Sequence, residues 1–371
     1  MLRRSAWLFA LLPILACGAT SPDAEIASSA SALVFDPQQW PSLQAAIDAA
    51  PNGAVIQLGA RTLYEPVAVS GKRITLVGAG RNATKLDGAN VPGPLVTLGT
   101  GGDLRLEGLT LESPRTAIAS LAPNGNPGAL RIVDVSASGT DASLSGAFAS
   151  LRARGADLAG PVDVKDTATI VFERVTAHAG LGATPAVRVD NRGLASGPCI
   201  VVLDRVTALA GEAGGIAVLG GRCPVYGAHV GVAGARVFGV GFFQTKFAWL
   251  FDAHVVNTKA TPLGDYGDGV VAWASHVELV DSRVENSARG GVSVFGCDAD
   301  ATQASVTLTG TELRCNAFDM DYEDVSVFTP SLDCSSKSAT FVDGGLDQCR
   351  TCGGEAKTCM AITSTLKPIT P

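Results

Sequence analysis

The chain has 371 residues, enough for a long hydrophobic core, yet only 17% of them are charged and 6% aromatic. With 43 glycines, this composition suits short strands with frequent corners better than helical surfaces. The net charge of −7, with no block of Lys and Arg, excludes nucleic acid, because phosphates require clustered cations.

The first residues read as an address. Arg3 and Arg4 precede an apolar run, Ala6 to Leu15, too short to span a bilayer permanently. The run ends in Ile14-Leu15-Ala16-Cys17, which resembles the lipobox of bacterial lipoproteins. That resemblance implies cleavage before Cys17 (residues 1–17 forming the signal and lipobox) and lipidation of its thiol. Gly18 and Ala19 follow in place of Asp, which points to the outer membrane or cell surface rather than inner-membrane retention. Residues 18–33 are small and polar, the composition of a flexible tether.

Ser42 is placed to cap a short helix running to about Ala50, with Leu43, Ala46, Ile47 and Ala50 on one face. Pro51-Asn52-Gly53 ends it.

Beyond the helix one pattern recurs: an apolar residue, any residue, a turn or polar residue, two more residues, then apolar again. It reads LEGLTL (106–111), IVDVSA (132–137), ARGADL (153–158), FERVTA (172–177) and LDRVTA (203–208). VAGARV (232–237), LFDAHV (250–255), LVDSRV (279–284) and LTGTEL (308–313) continue it. The mean spacing of about 25 residues is that of one solenoid unit. Apolar residues alternate at period two within units, as in strands with one buried face. Glycine and proline interrupt nearly every stretch of the repeat region before a long helix could form. The pattern predicts an all-β fold, a single-stranded parallel β-helix over 34–329 with an N-terminal cap. Nine or ten coils stacked about 4.8 Å apart make a rod of about 45 Å. Asn257 and Asn286 share an offset past their repeats and predict a corner ladder.

Removing Cys17 leaves Cys199, Cys223, Cys297, Cys315, Cys334, Cys349, Cys352 and Cys359, an even set that favours disulfides in an exported chain. Coil spacing suggests Cys199 with Cys223 and Cys297 with Cys315. Residues 330–371 read as a cysteine-rich C-terminal cap or tail.

WPSLQAAIDAAPNGAVIQLGARTLYEPVAVSGKRITLVGAGRNATKLDG (40–88) resembles the opening of pectin-lyase-like right-handed β-helix proteins. The resemblance implies a right-handed solenoid and names no single activity, since that superfamily spans esterases, hydrolases, lyases, epimerases and tailspikes. Tyr64-Glu65 resembles the early pectinesterase motif, but the later Q-D-T-L and D-F-I-F-G segments are absent. Asn257-Thr258-Lys259, Asp265 and Asp268, then Arg289-Gly290-Gly291 loosely follow the polygalacturonase order. Lys stands there for an Asp and Arg for the His, which removes the acid–base pair of that mechanism. Lys246, Lys259 and Arg289 near those aspartates would suit a β-elimination lyase.

Asp298, Asp300, Asp319, Asp321, Glu323 and Asp324 form an acidic patch, with the first four the candidates for Ca²⁺, the one cofactor considered. The four histidines show no metal-binding pair. Phe238, Phe242, Phe243, Phe247, Trp249 and Phe251 cluster, with Tyr266 and Trp273 following. Trp249, Tyr266 and Trp273 are the candidates for stacking on sugar rings. The leading expectation is an envelope-anchored binding or structural module with a polysaccharide or glycan partner, touching the membrane only through its lipid. The competing expectation is a lyase or hydrolase of acidic polysaccharide.

Overall fold

A computed structural model describes residues 32–296, 304–324 and 339–362, apart from residues 37, 123–124, 181, 183, 195–196, 210 and 221–222. Cys17 and most of the expected tether lie outside the described residues. Ala32–Val34 is already a strand, paired in parallel with Ala54–Gly59.

The strands wind into two long faces, here called sheet A, with 22 strands, and sheet B, with 12. Every pairing between named strands is parallel among the described residues, except Gln348–Arg350 with Ala356–Lys357. The fold is the expected parallel β-helix. Sheet B has twelve rungs, more than the nine or ten read from the repeat. The first coils, from Ala54–Gly59 onward, carry strands without the six-residue signature. At the other end, Thr340–Asp343 and Gln348–Arg350 continue the ladder from Ser305–Thr309 and Glu312–Arg314.

The recurring signature is a turn flanked by two strand segments. Its third residue falls in the left-handed region at Gly108, Asp134, Gly155, Arg174, Arg205, His229, Asp252, Asp281 and Gly310, with φ between 48° and 62°. The sequence places the sixth unit at 232–237. The structure places it at 227–232, GAHVGV, with His229 at the turn. Gly234 stands at the following corner, in line with Asn257. A glycine is the stronger turn signal, so the pattern locked onto the wrong corner. Asn286 donates its side-chain amide to Asn257 Oδ1 at 3.2 Å, which is the predicted corner ladder.

Inside the coils one continuous core runs from Phe35 to Cys349. Each rung's interior is completed by the rungs on either side. Gly227, for example, lies under Leu250, whose Cδ2 would be 2.4 Å from any added Cβ.

The N-terminal opening is closed by the helix Leu43–Ala49. Ser42 Oγ accepts from Ala45 N–H, and Glu65 Oε1 accepts from Leu43 N–H at 2.7 Å. Glu65 is therefore a helix cap, which explains the Tyr64-Glu65 pair without chemistry. At the helix's other end the Lys72 ammonium donates to the carbonyls of Ile47, Asp48 and Ala50.

Cys199 joins Cys223. The expected Cys297–Cys315 bond is replaced by Cys315–Cys352, and Cys349 joins Cys359. Cys315 is a corner residue with φ 53°, and the next rung brings Cys352 beneath it. Cys297 and Cys334 lie outside the described residues.

Candidate functional site

Asp268 opens the strand Asp268–Trp273 on sheet B and is fully buried. The chain reaches it through Tyr266 at φ 66° and Gly267 at φ 108°. Gly267 N–H and Asp268 N–H both donate to the carbonyl of Val237, at 2.8 and 3.1 Å. Val237 itself has φ 78°, a costly conformation for a β-branched residue, on the order of 1–3 kcal/mol.

The Asp268 carboxylate is surrounded by donors. Oδ1 accepts from Arg289 Nε at 2.8 Å, Ser293 Oγ at 2.8 Å and Gly290 N–H at 3.0 Å. Oδ2 accepts from Arg289 Nη2. Residue 290 is glycine for a steric reason: a Cβ would sit 2.3 Å from Ser293 Oγ. Arg289 also lies 5.7 Å from the Tyr266 ring centroid and 5.8 Å from that of Phe295. A carboxylate so occupied cannot accept a substrate proton without first breaking a buried ion pair. Asp268 and Arg289 thus come together as a brace for the outer side of sheet B.

The other residues of that sequence group do not join them. Asp265 is exposed on a loop closed by its hydrogen bonds with Thr261. Lys259 is exposed and lines an open groove with Gly234, Asn257, Thr258, Ala260, Asn286 and Ala288. Asp319 and Asp321 are buried on Phe318–Asp324. Asp319 Oδ2 accepts from Met360 N–H at 2.9 Å and lies 3.0 Å from the Lys357 ammonium, which makes it a poor ligand for a hard cation. Asp298 and Asp300 lie outside the described residues, as do the side chains of Glu323 and Asp324. Among the described residues no group of three His, Cys, Asp or Glu side chains could hold a metal.

The aromatic cluster, continuous in sequence, divides between two faces. Phe238, Phe243 and Phe295 form a second apolar cluster with Ala217, Leu219 and Val271 on the outside of sheet B, and Tyr266 and Trp273 pack against it. Gly214 and Gly241 leave room for its rings. Trp249 lies instead on sheet A, where its ring and that of Phe251 are near-parallel, 5.8 Å apart and 10° between planes. Tyr226, 42% exposed, is its neighbour on the preceding rung and makes an edge contact with Phe247 at 6.2 Å. Trp249, Phe251 and Phe247 are half-buried. Tyr226, Trp249 and Phe251, facing out from neighbouring strands of sheet A, make a stacking surface. The trio of Trp249, Tyr266 and Trp273 expected from sequence does not form one, because Trp249 and the other two belong to different sheets.

Sequence reasoning missed Tyr226. It also missed Arg105, Arg131 and Arg152, which occupy the same column of sheet A as Tyr226 and Trp249. The signal was present: each of these residues immediately precedes a repeat unit. Misplacing the sixth unit hid Tyr226 from that alignment.

No family model matches the chain, and no curated protein does. Solved structures do. The A-module of mannuronan C-5 epimerase AlgE4 from Azotobacter vinelandii is 15% identical, with 92% of this chain and 99% of that one covered at a TM-score of 0.56. A variant of the periplasmic alginate epimerase AlgG is 11% identical, covering 87% of this chain and 84% of that one at a TM-score of 0.46. The catalytic unit of a GH87 α-1,3-glucanase from Streptomyces thermodiastaticus is 11% identical, covering 89% and 72% at a TM-score of 0.39. The likeness to the epimerase module is one of fold alone: this chain adopts a right-handed parallel β-helix.

Proposed function

We propose that the protein is a glycan-binding β-helix held at the bacterial envelope by a lipid on Cys17, with sheet A as its binding face. The observation that carries this reading is the ring group in which exposed Tyr226 on one rung stands beside half-buried Trp249 and Phe251 on the next. An aromatic face packs against the C–H groups of a pyranose, and a rigid sheet loses little entropy in presenting it. The epimerase module, by name, acts on mannuronan, which is consistent with a glycan partner. A binding role is favoured over turnover because Asp268 and Arg289 neutralise each other under cover.

The test is tryptophan fluorescence and calorimetric titration against neutral and acidic polysaccharides. Trp249→Ala should weaken glycan binding at least ten-fold, and Tyr226→Ala several-fold, without product release in any assay. Turnover by the native chain that disappears in Asp268→Ala would replace this reading with the enzymatic one. Binding indifferent to both ring variants would remove it.

A further inference from the structure

One column of sheet A runs straight along the rod. In consecutive rungs it holds Arg105, Arg131, Arg152, Val171, Val202, Tyr226 and Trp249, each the direct partner of the next. Six steps of about 4.8 Å make it about 29 Å long. The arginines alternate with buried residues on either side, Leu130 and Ile132 or Leu151 and Ala153, so they point outward. Arg105 is paired with Glu107 at 3.0 Å. The side chains of Arg131 and Arg152 make no hydrogen bond or ion pair among the described residues.

That arrangement is unfavourable by itself, because like charges directly opposite on neighbouring strands repel. Several other surface arginines are neutralised: Arg81 meets Asp134 at 2.6 Å and Arg188 meets Asp190 at 3.0 Å. The second and third rungs, Ala129–Val133 and Ser150–Arg154, present Arg131, Arg152 and Arg154 on this face and no carboxylate. Only Arg154 finds an acid, Glu173 of the next rung, at 3.4 Å. A local excess of positive charge thus persists in a chain whose net charge is −7. A shallow depression lined by Arg73, Thr75, Asp103, Arg105 and Arg131 sits at its N-terminal end.

We infer that this column is the binding track for a linear glycan bearing anionic groups, its acidic part lying over Arg105, Arg131 and Arg152 and its sugar faces reaching the rings of Tyr226 and Trp249. The inference rests on the glycan-binding reading and adds the charge class and the path of the ligand. A straight file of charges one rung apart fits a chain polymer. A bilayer would meet a plane of cations, whereas beside the file Arg154 is paired with Glu173 and Arg73 with Asp103.

The experiment uses the full chain with three probes: dextran, dextran sulfate and polygalacturonate, each titrated at low and high salt. Dextran sulfate or polygalacturonate should bind more tightly than dextran, with affinity falling as salt screens the charges. Arg131→Gln/Arg152→Gln should weaken acidic-glycan binding at least ten-fold and leave any dextran binding unchanged. The charge-matched control Arg115→Gln/Arg174→Gln, off the column, should retain it. The thermal midpoint of the column variant should not fall, since removing unpaired like charges relieves repulsion. Failure of both acidic probes to bind overturns the inference, as does binding equal to that of dextran or insensitive to the column variant. Capture of phosphatidylglycerol vesicles, lost in the column variant, in place of acidic glycan would also overturn it. Trp249→Ala separates the two readings. If it leaves binding intact while the arginine variant weakens it, the ring platform fails and the anion track stands. If it weakens dextran and acidic probes alike while the arginine variant does nothing, the platform stands and the track fails.

Discussion

At the scale of single residues, the instructive case is Arg289. Its sequence position, where a polygalacturonase-like order would have a histidine, suggested either a lost mechanism or a different one. The structure gives it a mechanical task, since its guanidinium meets Asp268 through two nitrogens beneath the rings of Tyr266 and Phe295. Removing one member of a buried pair strands the other charge, at a cost of about 3–5 kcal/mol. Arg289→Met should lower stability by that amount in urea denaturation, and Asp268→Leu/Arg289→Met should recover part of the loss. A single variant within about 1 kcal/mol of the parent would contradict the bracing role. Asp268 could be nominated from its spacing, but its burial could not, because that depends on coils remote in sequence.

At the scale of elements, sheet register decides which side chains become neighbours. On sheet B, Val162–Lys165 pairs with Val187–Asp190, which sets Asp163 opposite Arg188. Asp190 closes this rung, bonded to Arg192 at 2.8 Å and Arg188 at 3.0 Å. The Arg192 hydrogen bonds hold the Asp190 carboxyl below the usual carboxylate range, outweighing the opposing effect of burial. A depressed folded value means that the stabilisation is full above the unfolded value of about 3.9 and is lost as pH falls through the folded one. Asp190→Asn should therefore be less stable than the parent near neutral pH, with the gap closing in strong acid. A gap constant across that range would refute the assignment. Register also explains why eight of the nine repeat units were legible: a turn residue two places after an apolar one marks the corner wherever Gly, Asp or Arg fills it. At the sixth unit His229 carries the left-handed turn, and a nearby glycine drew the reading to the wrong corner.

At the scale of the whole molecule, stacking turns a weak sequence repeat into continuous columns. A residue's significance then comes from the rungs before and after it. The column from Arg105 to Trp249 spans residues almost 150 positions apart in the chain, yet each is one rung from the next. The proposed anchor belongs to this scale too, since it would hold the first rung at a membrane and leave the rod to reach outward. Cys17→Ser should abolish acyl labelling in a bacterial host and release the protein from the membrane fraction. Labelling unchanged by that substitution would remove the anchor.

The amino-acid order alone determined the winding, the helix that closes its first coil, the asparagine corner and the Cys199–Cys223 bond, because each rests on local periodicity or on neighbours one coil away. Only the three-dimensional stack decided that Trp249 and Trp273 look out from different sheets, that Cys315 meets Cys352, and that Asp268 is sealed under Arg289. Those outcomes depend on coil lengths, which vary with each loop. A one-residue change in a strand's path moves a side chain from the interior to the surface.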